Sequence, residues 1–200
     1  MSYAIVGFGK IGQALAHAFA RKNIQVTVAS RRKPEELAPQ AREIGATVVA
    51  KSLRDALEAD TIILAVPFGE HREVAKALRS WEGKTVIDAT NAFGVLPEEL
   101  DGLPSSAFVA KAFTGAKLVK GFNHLIAATL AADPIVEGGH RVIFLSSDDE
   151  DATAPVAALA KQLGFAPVEL GKLNEGGALV HGRAGTWGQL IFEDLFKKEQ

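Results

Sequence analysis

The chain has no cysteine among its 200 residues, so it has no disulfide framework, no thiolate nucleophile and no zinc site of the cysteine type. It also lacks an excess of charge. Its 22 Lys and Arg stand against 24 Asp and Glu, a net charge of −2, which gives no basis for nucleic acid or an anionic membrane as the principal partner. No segment runs long enough without charge to span a bilayer. No HxxxH or HExxH spacing points to a metal, and no serine sits in a GxSxG elbow. The first strand pattern begins almost at Met1 with no charged-then-apolar leader before it, so the expected location is cytoplasmic. What the chain does have is apolar sequence, 48% of its residues, enough for one sizeable core.

The most informative stretch is Gly7-Phe8-Gly9-Lys10-Ile11-Gly12. Tyr3 to Val6 reads as a buried strand, and Ile11, Ala14, Leu15, Ala18 and Phe19 recur at helical spacing, so the glycines fall at a strand-to-helix corner. At such a corner Gly7 allows the tight turn, Gly9 lets the backbone approach a pyrophosphate, and Gly12 lets the helix pack close to the strand. The phosphates then meet the positive end of the helix. Gln25 to Ala29 forms the next strand. At its end, where NAD-binding folds place an acid for the ribose hydroxyls, the chain has Ser30, Arg31 and Arg32, with Lys33 behind. A hydroxyl and three cations suit an adenosine 2′-phosphate that an acid would repel. The expected cofactor is therefore NADP(H) rather than NAD(H).

Strand and helix patterns alternate along the rest of the chain, which predicts an α/β, Rossmann-like, doubly wound and mostly parallel sheet. The second helix starts near Pro34 and stops at Gly45. Thr47 to Ala50 is a third strand, Ser52 opens a short helix through Ala59, and Thr61 to Val66 is a fourth, buried strand ended by Pro67. A helix from about Gly69 to Trp81 precedes a fifth strand, Thr85 to Asp88. After a loop-rich stretch over 94–106, Ser106 caps a helix reaching Thr114. Lys117 to Gly121 is a sixth strand with a helix over Asn123 to Ala132. Arg141 to Leu145 is a seventh strand, Asp148 to Gly164 an amphipathic helix with acids in its first turn, and Pro167 to Leu170 an eighth strand. Residues 171–200 hold glycines at 176, 177, 182, 185 and 188, then an amphipathic helix over Leu190 to Lys197. The expected organisation is a nucleotide-binding domain over 1–170 and a short C-terminal extension over 171–200, a loop that lies against a flat ligand followed by a lid or dimer helix.

In such a sheet the ligand lies outside the carboxyl ends of the strands, at the switch point. This ranks the polar residues. Val66 and Pro67 end the fourth strand where apolar groups shield a hydride from water. Asn91, past Asp88 and Thr90, either meets the nicotinamide carboxamide or ribose or closes an Asx turn. Strand alternation sends Lys120 and Phe122 to one face and Gly121 and Asn123 to the other. Asn123 is the favoured contact, with Phe122 joining it if the chain has already turned there. Among the histidines, His124 and His181 are the candidates for a polar contact near the reacting ring, against helix capping or a solvated loop as the alternative. Hydride transfer needs little more than two rings held face to face in a dry pocket, because the cofactor carries the hard chemistry.

Taken together these residues resemble the NADPH-dependent reductases of the deazaflavin coenzyme F-420 and their wider family of small NADP-binding oxidoreductases. The resemblance covers nearly the whole chain. It rests on Gly7 to Gly12, Ser30-Arg31, Ala65-Val66-Pro67, Asp88-Ala89-Thr90-Asn91, Val119-Lys120-Gly121-Phe122-Asn123, and Leu170-Gly171-Lys172-Leu173 before Gly176-Gly177. It implies NADPH across the strand ends, touched by Gly7, Gly9, Lys10, Ile11, Ser30, Arg31, Val66, Pro67 and Asn123. It further implies a small-molecule hydride acceptor, a flavin or deazaflavin ring held by the C-terminal segment, usually in a homodimer. The chain departs from the family where Ala92 follows Asn91 in place of the usual proline and where Gly121 replaces an alanine. Two other readings share the nucleotide half: an imine reductase of the pyrroline-5-carboxylate type, which usually appends a helical domain that these 200 residues do not have room for, and a non-catalytic NADPH-binding redox sensor.

Overall fold

The computed structural model describes residues 1–136 and 138–198. The first half of the chain runs β1 (Tyr3–Val6), α1 (Lys10–Arg21), β2 (Val26–Ala29), α2 (Pro34–Ile44), β3 (Val48–Ala50), α3 (Leu53–Ala56), β4 (Thr61–Leu64), a 3-10 turn (Phe68–Glu70), α4 (His71–Ala75) and β5 (Thr85–Asp88). A 3-10 turn (Pro97–Leu100) then leads to α5 (Ser105–Ala112), β6 (Lys117–Gly121), α6 (Ala127–Ala131), β7 (Ile135–Val136), β8 (Gly139–Ser146), α7 (Thr153–Gln162) and β9 (Ala166–Glu169). A last 3-10 turn (Gly176–Val180) precedes β10 (Gly182–Arg183), β11 (Thr186–Trp187) and β12 (Phe196–Lys198).

Six strands pair in parallel in the order β3-β2-β1-β4-β5-β6. β8 follows antiparallel to β6, with β9 parallel to it and β7 and β12 antiparallel to it. The chain therefore winds one way from β1 and the other way from β4, which makes a Rossmann-like doubly wound sheet with its switch point between the ends of those two strands. Period-2 alternation sorts the buried strand residues onto two faces. Ile5, Ile63, Ile87 and Val119 meet α1, α2 and α7 on one face. Ala4, Val6, Ile62, Leu64, Val86 and Leu118 meet Trp81, Val109 and Phe113 on the other.

Local signals place many boundaries where the sequence predicts them. Pro34 sits in the first turn of α2 and Gly45 closes it, and the Ser52 hydroxyl accepts from the Asp55 amide at 3.2 Å to open α3. Other elements are corrected by side-chain contacts the sequence does not display. The helix expected over Gly69–Trp81 is the turn Phe68–Glu70 plus α4, because the Trp81 indole N–H takes the Ala75 carbonyl at 2.9 Å. The helix expected from Asp148 starts only at Thr153: Asp148 and Asp149 accept instead from the amides of Leu173 and Leu118. Ser106 does not cap α5. Pro104 holds the cap position, and the Ser106 hydroxyl donates to Asp88 at 2.8 Å. The helix over Asn123–Ala132 shortens to α6, after a left-handed backbone at Phe122 (φ 60°).

The largest correction is at the C-terminus. No helix forms over Leu190–Lys197. Phe192 takes a left-handed backbone (φ 64°), and the chain then enters β12 beside Arg141, His140 and Gly139 of β8. The open edge of β8 supplies the reason, since its amides need partners: the Val142 N–H donates to the Leu195 carbonyl at 2.8 Å. Arg141 fixes the register with Nε 2.6 Å from Asp194 Oδ1 and its guanidinium 5.4 Å from the centre of the Phe196 ring.

Candidate active site

The glycine corner is built as a tight three-way approach. Gly7 has φ 102°, and a Cβ there would lie 2.3 Å from the Ala65 carbonyl oxygen on the neighbouring β4 end. A Cβ on Gly12 would lie 1.9 Å from the Gly7 carbonyl oxygen, so only glycine allows α1 to start this close to β1. Gly9 differs: a Cβ there would meet nothing within 4 Å. The space above it is open, and the first turn of α1 carries neither a side-chain cap nor an acid. Its free amides face that space with the positive end of the helix dipole.

Two adjoining cavities follow from this corner. One, of about 410 Å³, is lined by Val6, Gly7, Phe8, Gly9, Ser30, Arg31, Arg32, Leu53, Ala65, Val66, Pro67 and Glu70. The other, of about 380 Å³, is lined by Gly9, Lys10, Ile11, Ala65, Val66, Pro67, Ala89, Thr90, Asn91, Phe93, Asn123, Leu125, Ile126, Ala127 and Phe192. They share Gly9, Ala65, Val66 and Pro67, so one groove crosses the switch point from a cationic end to an apolar end. At the cationic end the Ser30 hydroxyl accepts from the Arg32 amide at 3.1 Å, Arg32 Nη2 lies 3.5 Å from the Phe8 carbonyl, and Arg31 Nη2 pairs with Glu70 Oε1 at 3.1 Å.

At the apolar end the two asparagines lock each other. Asn91 donates to the Asn123 carbonyl at 2.7 Å, and the Asn123 amide nitrogen donates to Asn91 Oδ1 at 3.0 Å and to the Val180 carbonyl at 2.7 Å. Both amide protons of Asn123 are thereby used, and its Oδ1 is left buried without a partner. An unsatisfied buried acceptor beside a cavity calls for a donor from a ligand. Together with the open space at Gly9 and the uncapped helix end, it is what a dinucleotide with phosphates in its middle and a carboxamide or ribose hydroxyl at one end would complete.

Beneath the groove lies a closed polar network. Asp88 is fully buried and accepts from the Thr90 amide (2.9 Å), the Thr90 hydroxyl (2.7 Å), Ser106 (2.8 Å) and Lys120 (3.2 Å). Lys120 also donates to the Thr90 carbonyl. Burial pushes the Asp88 carboxyl up, but Lys120 and the hydroxyl and amide donors outweigh it and hold it below the ordinary range. Burial draws Lys120 down against the opposing pull of Asp88. The first departure from the family motif is absorbed nearby, since Ala92 pairs with Arg183 of β10. At the second, Gly121, a Leu145 methyl lies 2.7 Å from where a Cβ would stand.

Of the residues predicted from the sequence, Gly7, Phe8, Gly9, Lys10, Ile11, Ser30, Arg31, Arg32, Val66, Pro67, Asn91 and Asn123 all line the groove. Gly12 supports it from beneath. Phe122 does not reach it, because its ring is buried in the core 6.2 Å from that of Phe165. Neither candidate histidine lines it. His124 is buried with its ring edge-on to Phe144 at 4.8 Å. Neither ring nitrogen makes a hydrogen bond of good geometry, and burial pulls its pKa to about 4 despite the nearby Val142 backbone and Asp194. His181 Nε2 accepts from the Ser105 amide at 2.8 Å, and burial, with Lys120 and Arg183, lowers it to about 4 as well. Phe93, Phe192 and Glu70 are among the lining residues that sequence patterning missed. Phe93 and Phe192 join Trp187 in an exposed aromatic group, with ring centres 5.1, 5.4 and 6.3 Å apart. A phenylalanine two residues past Asn91 and an acid three past Pro67 were the signals available.

Fold and groove define a Rossmann-like domain with a ligand groove across the switch point of its sheet. Residues 2–92 match the family described as NADP oxidoreductase coenzyme F420-dependent. Over its full length the chain is similar to the hypothetical protein SMa0349 of Sinorhizobium meliloti, 42% identical with 99% of this chain and 96% of that one covered and a TM-score of 0.91. A protein of Arthrobacter sp. FB24 assigned as an F420-dependent NADP-reductase shares the fold, at 24% identity, 86% coverage of both chains and a TM-score of 0.70. The metalloreductase STEAP3 of Rattus norvegicus is 27% identical over 171 residues, 84% of this chain. The chain spans about one third of the length of that curated relative. Among the described residues no helix is long and apolar enough to cross a membrane.

Proposed function

We propose that this chain is an NADP(H)-dependent oxidoreductase that passes a hydride between NADPH and a flat, flavin-like or deazaflavin acceptor. The observation that carries the proposal is the single groove running from Arg31 to Asn123 and opening, at the Asn123 end, beside Phe93, Phe192 and Trp187. In this reading the Gly9 backbone and the first turn of α1 hold the pyrophosphate. Ser30, Arg31 and Arg32 hold the 2′-phosphate. NADPH supplies the hydride. The Oδ1 of Asn123 accepts from the carboxamide or a ribose hydroxyl, and Val66, Pro67 and Ile11 keep water from the reacting ring. Phe93, Phe192 and Trp187 offer faces on which a flat ring stacks.

The segment after residue 170 is then the acceptor side of the site rather than a separate unit. Its Val180 carbonyl fixes which way the Asn123 amide points. His181 acts as a positioning residue that ties this segment to the start of α5, and no proton transfer is assigned to His124. The exposed apolar faces of Phe93, Trp187 and Phe192 also suit a homodimer that closes over the acceptor. Stopped-flow mixing of the NADPH-loaded protein with flavin mononucleotide, riboflavin and a deazaflavin tests the reading. The expected result is loss of the reduced-nicotinamide absorbance with at least one of them. No loss with any of the three, with NADPH demonstrably bound, would leave a binding protein rather than a reductase of such rings.

A further inference from the structure

We infer that Glu70 competes with the 2′-phosphate for Arg31, and so limits how strongly the site prefers NADP(H) over NAD(H). The inference rests on the NADP(H) reading above and deepens it. Glu70 ends the 3-10 turn after β4, on the wall of the cavity opposite the end of β2, and it is the one acid among the residues lining that cavity. Its Oε1 lies 3.1 Å from Arg31 Nη2. The Arg31 side chain is 86% exposed and that of Glu70 only 30%, so the carboxylate belongs to the wall while the guanidinium reaches over from solvent.

Three consequences follow from that placement. An exposed pair of this kind is held weakly, and a dianionic phosphate offers a guanidinium a better, two-point partner, so ligand binding exchanges one anion for the other. The displaced carboxylate nevertheless stays in the wall of the filled cavity, where it opposes the phosphate. An NAD(H) ribose presents hydroxyl donors at the same place, which a carboxylate accepts. Glu70 thus weakens the dinucleotide that Arg31 favours and tolerates the one that it does not. Arg32 plays no equivalent part, because its guanidinium turns toward the Phe8 carbonyl instead.

Calorimetric titration of the full chain with NADPH and NADH, for Glu70→Gln, Arg31→Ala and the double variant, tests this. Glu70→Gln is expected to lower the Kd for NADPH about 1.5- to fivefold at low salt, the range of one exposed ion pair, with the gain shrinking as salt rises. The Kd for NADH should stay level or rise. In the Arg31→Ala background the same substitution should gain less for NADPH, because only the direct repulsion between carboxylate and phosphate is then relieved. Weaker or unchanged NADPH binding by Glu70→Gln overturns the inference, and so does an equal gain in both backgrounds, which would mean plain charge repulsion without competition for Arg31. If instead Arg31→Ala leaves the NADPH-to-NADH ratio unaltered, the underlying NADP(H) assignment fails, whatever Glu70→Gln does.

Discussion

The glycine corner and the C-terminal segment, which lines the groove through Phe192, are two walls built in contrasting ways. Around residues 3–67 the strands pair in parallel, β2 with β1 and β3 and β1 also with β4, and the turn between β1 and α1 follows from glycines at fixed spacing. Residues 176–198 hold a 3-10 turn, two two-residue strands and one short edge strand. That segment is kept in place by partners far away in sequence: Arg141 on Asp194, Asn123 on the Val180 carbonyl, Ser105 on His181, and the His124 carbonyl on the Phe192 amide. The first wall is a local pattern that any chain with that spacing would repeat. The second is a docking result, so its aromatic faces can be altered without disturbing the first.

The joint between the two walls should give the largest effect. Lys120→Met strands Asp88 as an unpaired buried charge, and a loss of about 3–5 kcal/mol is expected in urea unfolding. Adding Asp88→Asn removes that charge and should recover part of the loss. A loss under about 1 kcal/mol for the single variant would mean that the network does not brace the groove.

Acid should loosen the C-terminal wall next. His124 and His181 have folded pKa values near 4, below the ordinary 6.5. The stability each contributes is therefore present above about pH 6.5 and lost as pH falls toward 4, because across that window the unfolded chain binds protons that the folded chain does not. The slope is about 1.4 kcal/mol per pH unit for a fully shifted group. Thermal unfolding between pH 7 and 4 checks it, and His124→Phe should flatten the curve.

Smaller effects separate the walls directly. Arg31→Ala should weaken NADPH by about ten- to a hundredfold, the loss of a charge-assisted hydrogen bond of 1.5–3 kcal/mol, and leave NADH and the acceptor KM unchanged. Trp187→Ala should do the reverse, raising the acceptor KM about three- to tenfold through loss of ring stacking while the NADPH Kd stays level. If either variant moved both quantities together, the independence of the two walls would be lost.

How much of this could be read beforehand differs between the walls for the same reason. Gly7, Gly9, Gly12, Ser30 and Arg31 were legible because strand, turn and helix are adjacent in the chain, and the space each residue needs is set by its near neighbours. The pairing of Asn91 with Asn123 was half legible: both residues lie just past the carboxyl ends of neighbouring strands, β5 and β6, but which way the Asn123 amide is turned depends on Val180, 57 residues further on. Phe122 was misjudged because the chain does turn there, with a left-handed backbone, but the turn sends its ring into the core beside Phe165 rather than to the groove. The helix expected over Leu190–Lys197 was misjudged because apolar spacing there fits a helix, while the open edge of β8 offers the same residues a strand.

By itself, the sequence determined a doubly wound sheet with a glycine corner between its first strand and helix, since parallel strands and glycine turns are fixed by alternation, spacing and steric limits that act over a few residues. Only the tertiary structure decided that Phe93, Trp187 and Phe192 meet at the groove mouth, that Glu70 faces Arg31 across the cavity, and that the Asn123 oxygen is left seeking a donor. Those outcomes depend on which distant surfaces come together once hydrophobic burial has stacked the layers, and no short stretch of chain contains that information.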